Sequence, residues 1–98
     1  MKITKSLNGT ELTVALQGEL DTLTAPELEK ELKEGLNSLT AITFDFAELD
    51  YISSAGLRVL LMAHHGMSFG GTIKVINANE IVREVFEVTG FTDIITVE

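Results

Sequence analysis

The sequence lacks cysteine, and this absence excludes two ways of supporting a small domain. Without thiols the 98-residue chain can form neither disulfide bridges nor thiolate metal sites. At this length folding buries roughly 60–70% of the surface that the unfolded chain exposes, so a hydrophobic core can hold one domain together. Hydrophobic residues make up 45% of the chain. We therefore expect a single domain over residues 1–98.

Basic residues are few and dispersed. Seven Lys and Arg residues stand against 15 Asp and Glu residues, the net charge is −8, and no two basic residues are adjacent. Binding to nucleic acid depends on clustered Lys and Arg side chains that neutralise phosphates. We therefore expect no nucleic-acid partner.

Long apolar runs are also missing. The N-terminal segment has no apolar stretch typical of a signal peptide. The longest apolar run, Val59–Ala63, is far shorter than the roughly 20 residues that a membrane-crossing helix needs. These features predict a cytoplasmic protein that does not insert directly into a membrane.

Alternating apolar residues predict that the chain opens with a pair of antiparallel strands. The alternation covers Ile3–Leu7 and Leu12–Leu16, and Asn8-Gly9 lies between them. Asn and Gly both tolerate the positive φ that a tight hairpin turn requires. The sequence therefore predicts a β-hairpin centred on Asn8-Gly9.

After Gly18 the apolar period changes to that of a helix. Leucines recur every four residues over Leu28–Leu36, which places them on one helical stripe. Thr24 and Glu27 match a capping box, and Pro26 is tolerated in a first turn. The pattern predicts a first helix over Ala25–Asn37.

Three further strands and two further helices are predicted after this helix. The strands are Ile42–Phe46, Ile73–Ile76 and Ile94–Val97, and the helices run from Ala55 to about His65 and over a segment carrying Ile81–Phe86. Asn77 and Glu80 match a cap for the last helix, and Gly90 ends it. The order β-β-α-β-α-β-α-β predicts an α/β domain with a mixed sheet that is antiparallel at its start and parallel further in.

The sequence matches none of the familiar catalytic arrangements, such as a nucleophile with its base, a pair of metal-binding histidines or a phosphate-binding loop. If Ser54 opens the second helix, His64 lies about 15 Å further along its axis, too far for a nucleophile and its base. The neighbouring His64 and His65 point to different sides of a helix, and no glycine-rich phosphate-binding motif occurs. A small enzyme that uses Asp21 or Asp50 beside Ser54 remains an alternative, supported only by the nearness of carboxylate and serine.

The junction before the second helix is the remaining candidate site. Ser53 and Ser54 precede an apolar helix, where a serine hydroxyl can cap a free backbone N–H. Because Ala55 and Gly56 are small, a partner's backbone or a phosphate could instead approach the positive end of this helix closely. Both readings are open at this point.

The segment Ile52–Leu60, with the sequence ISSAGLRVL, resembles the signature of STAS domains. It is most similar to the small, single-domain anti-sigma factor antagonists of bacteria. The likeness also covers Gly18–Asp21, Thr24-Ala25 and Leu28 before the first helix, and the order of elements agrees, so it extends over nearly the whole chain.

The resemblance implies a phosphorylation switch. It places the phosphoacceptor at Ser54. Ser53 is the alternative acceptor, because this chain has a second serine at the preceding position, where the family often has aspartate. It implies that the unmodified protein binds a kinase-type anti-sigma factor, which then releases its sigma factor. The same serine kinase modifies the acceptor, and a serine phosphatase resets the cycle.

No cofactor of the protein itself is implied, since nucleotide and Mg²⁺ stay with the kinase. The resemblance implies partner contacts at Asp21, Thr22, Thr24, Ser53, Ser54, Ala55, Gly56 and Arg58. An alternative function is a non-switching STAS subunit of a lipid transporter or of a stress-signalling complex, because related domains in those settings are similar as well.

Overall fold

The computed structural model describes all 98 residues and contains five strands and three α-helices. The elements are β1 (Lys2–Asn8), β2 (Glu11–Leu20), α1 (Ala25–Lys33), β3 (Ala41–Ile52), α2 (Ser54–Gly66), β4 (Thr72–Ile76), α3 (Glu80–Thr89) and β5 (Thr96–Val97). The predicted order of strands and helices is therefore confirmed. None of the three helices is long and apolar enough to cross a membrane.

The strands form one mixed sheet in the order β1-β2-β3-β4-β5. Strands β1 and β2 are antiparallel, and each of the other neighbouring pairs is parallel. Each parallel connection contains a helix, as crossovers between parallel strands usually do. The predicted mixed sheet, antiparallel at its beginning, is confirmed.

The hydrophobic core lies on one face of this sheet. Val14, Phe44 and Val75 are fully buried and lie side by side in the register of β2, β3 and β4, whereas their neighbours along each strand are partly or fully exposed. The helices cover this buried face. One contact between the layers is the stacking of Phe46 on Phe86 of α3, with ring centroids 6.3 Å apart.

Several boundaries differ from the predicted ones. Helix α1 ends at Lys33 instead of Asn37, because Glu34 is extended with a ψ of 125° and Gly35 is left-handed with a φ of +77°. A short 3₁₀ turn, Leu36–Ser38, then keeps Leu36 buried. Strand β3 is longer than predicted and reaches Ile52, whereas β5 contains only two residues because a second 3₁₀ turn, Phe91–Asp93, precedes it.

The hairpin turn lies one residue later than predicted. Asn8 pairs with Glu11, so the two central residues of the turn are Gly9 and Thr10 instead of Asn8 and Gly9. Gly9 has a φ of +65°, a conformation that costs glycine little because it has no Cβ.

The cap of α3 is Asn79, so the predicted capping by Asn77 is wrong. The side-chain oxygen of Asn79 accepts a hydrogen bond from the N–H of Val82 at 2.8 Å. Its amide nitrogen donates to the carbonyls of Leu49 and Asp50, each at 3.2 Å. Asn77 instead has a φ of +60° and belongs to the turn before the helix. Asn79 thus joins the start of α3 to the end of β3.

Replacing Asn79 by alanine should lower the free energy of unfolding by about 1–2 kcal/mol, because the cap and both cross-links to β3 are lost. Urea denaturation measures this change. The matched control is Asn37→Ala at an exposed position outside the α-helices, which should cost less than about 0.5 kcal/mol. Equal effects of the two variants would show that the Asn79 bonds add nothing to stability.

Candidate functional site

Three segments that follow parallel strands meet at one end of the sheet, where the carboxyl ends of these strands lie. Residues 21–24 follow β2, Ser53 follows β3 and residues 77–79 follow β4. The N–H of Ser53 donates to the carbonyl of Leu20 at 2.9 Å and so joins the first two segments. Ligands of open α/β sheets bind outside the carboxyl ends of the strands. We name residues 21–24 together with 53–58 the carboxyl-edge site.

The loop of residues 21–24 is held by its own side chains. Oδ1 of Asp21 accepts hydrogen bonds from the N–H groups of Leu23 at 3.0 Å and Thr24 at 3.1 Å. Oγ1 of Thr24 accepts from the N–H of Asp21 at 2.8 Å and donates to the carbonyl of Glu19 at 2.7 Å. These reciprocal bonds fix the shape of the loop before any partner arrives.

The same bonds show that the predicted capping box of Thr24 and Glu27 is wrong. Thr24 occupies the N-cap position of α1, but its side chain caps no N–H of that helix. Its backbone is already near the helical region, with a φ of −96° and a ψ of −22°. The hydroxyl is used within the loop instead.

The carboxyl group of Asp21 is held in its ionised form by this loop. The hydrogen bond from the N–H of Thr24 is the largest effect and lowers the pKa of Asp21 below its ordinary value; desolvation partly opposes it, and the N–H of Leu23 lowers the pKa further. A carboxylate with a lowered pKa is a weak base. The lowered pKa therefore disfavours Asp21 only in the role of a general base.

The two serines of the junction differ in exposure. Ser53 occupies the N-cap position of α2 in an extended conformation, yet its hydroxyl caps no N–H. Its Oγ is buried and has no hydrogen-bond partner. Ser54, the first residue of α2, is exposed. The structure therefore does not support the reading of Ser53 as a hydroxyl cap, and it leaves the hydroxyl-bearing side chain of Ser54 accessible.

Gly56 is buried, so the expectation that it leaves room for a partner is wrong. A Cβ at this position would lie 2.7 Å from Cγ of Leu20 and 2.8 Å from Cγ1 of Ile52. The space beside the glycine is already filled by the last residues of β2 and β3. Gly56 permits α2 to pack closely on the ends of these strands.

Other residues of the site line one shallow cavity between the loop, α1 and α2. The structure brings together Thr22, Ala25, Pro26, Glu29, Ala55, Arg58 and Val59 around it. Thr22, Ala55 and Arg58, three of the predicted contact residues, are thus neighbours. Ser54 lies beside Ala55 at the start of the same helix.

One exposed residue of the site was not predicted from the sequence. Leu23 is 86% exposed although its neighbours Asp21 and Thr24 are hydrogen-bonded within the loop. The sequence feature that could have indicated its exposure is a leucine inside the polar segment Asp21–Thr24, outside the periodic apolar pattern of α1. A single exposed apolar side chain is common on protein surfaces, and here the hydrogen bonds of Asp21 and Thr24 hold it on a fixed loop.

No group of three or more His, Cys, Asp and Glu side chains is arranged to hold a metal ion. Among the residues of the carboxyl-edge site, the hydroxyl of Ser54 and the guanidinium of Arg58 are accessible chemical groups on α2. Such a surface can accept a modification and contact a partner.

Comparison with known proteins relates the chain to one family. The family model described as "Mlab, STAS domain" matches residues 3–96. A relative from Bordetella bronchiseptica, named a putative anti-sigma factor antagonist, BtrV, is 38% identical over 99% of this chain and 85% of its own length.

Solved structures share the fold at low sequence identity. The anti-sigma factor antagonist SpoIIAA in its unphosphorylated form superposes with a TM-score of 0.87, at 19% identity, over 99% of this chain and 88% of the other. The Bacillus cell fate determinant SpoIIAA in the phosphorylated form gives a TM-score of 0.78, at 18% identity, over 99% and 91%.

Replacing Gly56 by alanine should lower the free energy of unfolding by about 1–2 kcal/mol, because the new methyl group must displace Leu20 and Ile52. Chemical denaturation measures the loss. The cost should be smaller in a Leu20→Ala background, where the crowded side chain is shortened. Ser54→Ala in the same helical turn is the control and should change stability by less than about 0.5 kcal/mol. A Gly56→Ala variant as stable as the wild type would contradict this packing.

The stability that Asp21 contributes should depend on pH. Because the folded-state pKa is lowered, the contribution is present above the ordinary pKa near 3.8 and is lost as the pH falls through the lower folded value. The wild type should therefore exceed Asp21→Asn in stability at pH 7, and the gap should close below about pH 4. The difference between the two denaturation curves removes the effect of all other carboxylates. A gap that does not change with pH would contradict the role of the charge.

Proposed function

The chain belongs to the STAS domain family, and we propose that it is an anti-sigma factor antagonist switched by phosphorylation of Ser54. The unmodified chain binds a kinase-type anti-sigma factor, which then releases its sigma factor. The kinase transfers the γ-phosphoryl group of ATP to Oγ of Ser54, with release of ADP and of the hydroxyl proton. A serine phosphatase restores the binding form.

The observation that carries this proposal is the unequal exposure of the two serines. A kinase must bring the acceptor oxygen in line with the γ-phosphorus of ATP, which requires an accessible hydroxyl. Ser54 is exposed, whereas Oγ of Ser53 is enclosed. This difference favours Ser54 as the acceptor over the alternative, Ser53.

The position of Ser54 explains how a phosphate can be tolerated and still act as a switch. A phosphate adds about −1.5 to −2 charges at pH 7. The N-terminus of α2 carries positive partial charge and free N–H groups, which favour an anion there. The fold therefore need not change. A partner surface that accepts a small hydroxyl must instead accommodate a dianion, and binding is lost.

The partner surface combines an apolar anchor with polar neighbours. We propose contacts at Thr22, Ala55 and Arg58, which line one cavity, and at the exposed Leu23. Asp21 and Thr24 use their side chains within the loop, so their role is to hold Leu23 and Thr22 in place. Gly56 acts in the same indirect way through the packing of α2.

The names of similar proteins agree with this proposal. BtrV of Bordetella bronchiseptica is named as a putative anti-sigma factor antagonist, and SpoIIAA has been solved in unphosphorylated and phosphorylated forms. The chain is proposed to act by binding and to be the substrate of the kinase, without catalysing a reaction or holding a cofactor itself.

A second candidate is a non-switching subunit of a larger assembly, such as a lipid transporter or a stress-signalling complex. An exposed apolar stripe on α3 favours it. Ile81 and Val88 are 58% and 80% exposed, and the partly buried Val85 lies between them on the same side of the helix. A permanent partner would cover such a stripe.

We expect the unmodified chain to retain an anti-sigma factor from an extract of its own cells, and ATP to place phosphate on Ser54, as mapped by mass spectrometry. Ser54→Asp should weaken binding at least about tenfold in calorimetry, because the partner meets an added charge. Ser54→Ala should bind like the wild type but should no longer be released by ATP. Ser53→Ala is the matched control and should be released normally.

Two outcomes would contradict the switch. One is phosphate on neither serine after incubation with the captured kinase and ATP. The other is equal affinity of the wild type and Ser54→Asp for the captured partner. Retention of transporter subunits, unaffected by Ser54→Asp, would favour the second candidate.

A further inference from the structure

Arg58 is a cation without a protein partner inside the carboxyl-edge site. It takes part in neither of the two ion pairs of the structure. The other arginine, Arg83, donates to the carbonyls of Ala78 and Glu98. Glu29 lines the same cavity as Arg58 without forming an ion pair with it. An unpaired guanidinium is notable in a chain with a net charge of −8.

The helix places Arg58 next to Ser54. The two residues are four positions apart on α2, so their Cβ atoms lie about 5–6 Å from each other on the same face. Side chains of a helix lean toward its N-terminus, so Arg58 extends over the turn that Ser54 begins. Both residues are exposed. The guanidinium can therefore reach an anion on Ser54 by side-chain rotation alone.

We propose that Arg58 is the internal receptor of the phosphate on Ser54. This inference rests on the proposed function, because it concerns the phosphorylated form of the same site. Two parallel N–H donors of the guanidinium match two phosphate oxygens, and such charge-assisted pairs are stronger than neutral hydrogen bonds. The N–H groups at the start of α2 bind the phosphate from the other side.

The phosphate outcompetes the other anions near Arg58. Asp21 has its charge engaged by two backbone N–H groups, and Glu29 carries a single charge on another helix. A phosphate on Ser54 carries nearly two charges and lies one helical turn away on the same helix. Arg58 therefore turns from the cavity toward the phosphate once Ser54 is modified.

This pairing gives phosphorylation a second effect on the partner surface. The modification adds a dianion and also withdraws a cation from the cavity that Thr22 and Ala55 share with Arg58. A partner carboxylate that pairs with Arg58 in the unmodified form loses that contact. One phosphoryl transfer thus changes two features of the surface that the partner recognises.

The test uses phosphoserine inserted at position 54 during translation, so no kinase is required. A ³¹P NMR titration measures the second pKa of the phosphate in the wild type and in Arg58→Gln. We expect this pKa to be lower in the wild type by about half a unit to one unit, because the guanidinium favours the dianion. Arg58→Lys should retain part of the shift, since it keeps the charge but loses the paired donors.

The matched control is Lys33→Gln, which removes one positive charge from the exposed last turn of α1. It should leave the phosphate pKa within about 0.2 units of the wild type, because a distant exposed charge is screened. In addition, the Nε–H signal of Arg58 in a ¹H–¹⁵N spectrum should shift when position 54 carries phosphate, and the signal of Arg83 should not.

Equal phosphate pKa values in the wild type, Arg58→Gln and Lys33→Gln would overturn the inference, and so would an Arg58 signal that phosphate does not move. These results are independent of the kinase. If they fail while the kinase modifies Ser54 and Ser54→Asp weakens binding, the proposed function stands without the receptor. If no kinase modifies Ser54, the proposed function fails. The NMR titration still measures whether Arg58 binds a phosphate on Ser54, because it needs no kinase.

Discussion

The close packing of Gly56 against Leu20 and Ile52 is the contact on which the site depends. A Cβ at Gly56 would fall within 2.8 Å of carbon atoms of both residues, so only glycine allows α2 to begin directly on the ends of β2 and β3. This fixes the first turn of α2 against the two strands. The exposed face at this end of α2, with Ser54 in the first turn and Arg58 one turn later, is consequently held where the strands end.

Serine hydroxyls cap none of the three α-helices of this domain. Asn79 caps α3 and also binds the end of β3, while the loop before α1 is held by the carboxylate of Asp21. At the start of α2 the hydroxyls of Ser53 and Ser54 supply no cap. A hydroxyl that held a helix end would have to give up its hydrogen bond to react with ATP. In the proposed switch the free hydroxyl of Ser54 has no such cost.

The sequence alone predicted the order of elements, the mixed sheet and the end of α3 at Gly90, because these depend on local periodicity and on glycine. The caps were less predictable. Thr24 matched a capping pattern, but its hydroxyl bonds to the backbone of Asp21 and Glu19 instead. Asn77 matched one as well, but its side chain donates to Asp45. The burial of Gly56 could not be predicted either, since Leu20 lies 36 residues earlier in the chain and only the fold brings the two together.

The charge of the site is better described locally than by the net charge of −8. Excess acidity disfavours polyanionic partners in general. At physiological salt, however, charges farther than roughly 8–10 Å from Ser54 are largely screened. Within that distance of Ser54 the arrangement of α2 supplies the N-terminus of a helix and the guanidinium of Arg58. In the proposed switch an added phosphate therefore meets these two positive groups on its own chain in spite of the overall negative charge. In the proposed switch the partner must desolvate that phosphate on docking, so the free-energy cost of the modification falls on the complex and not on the fold.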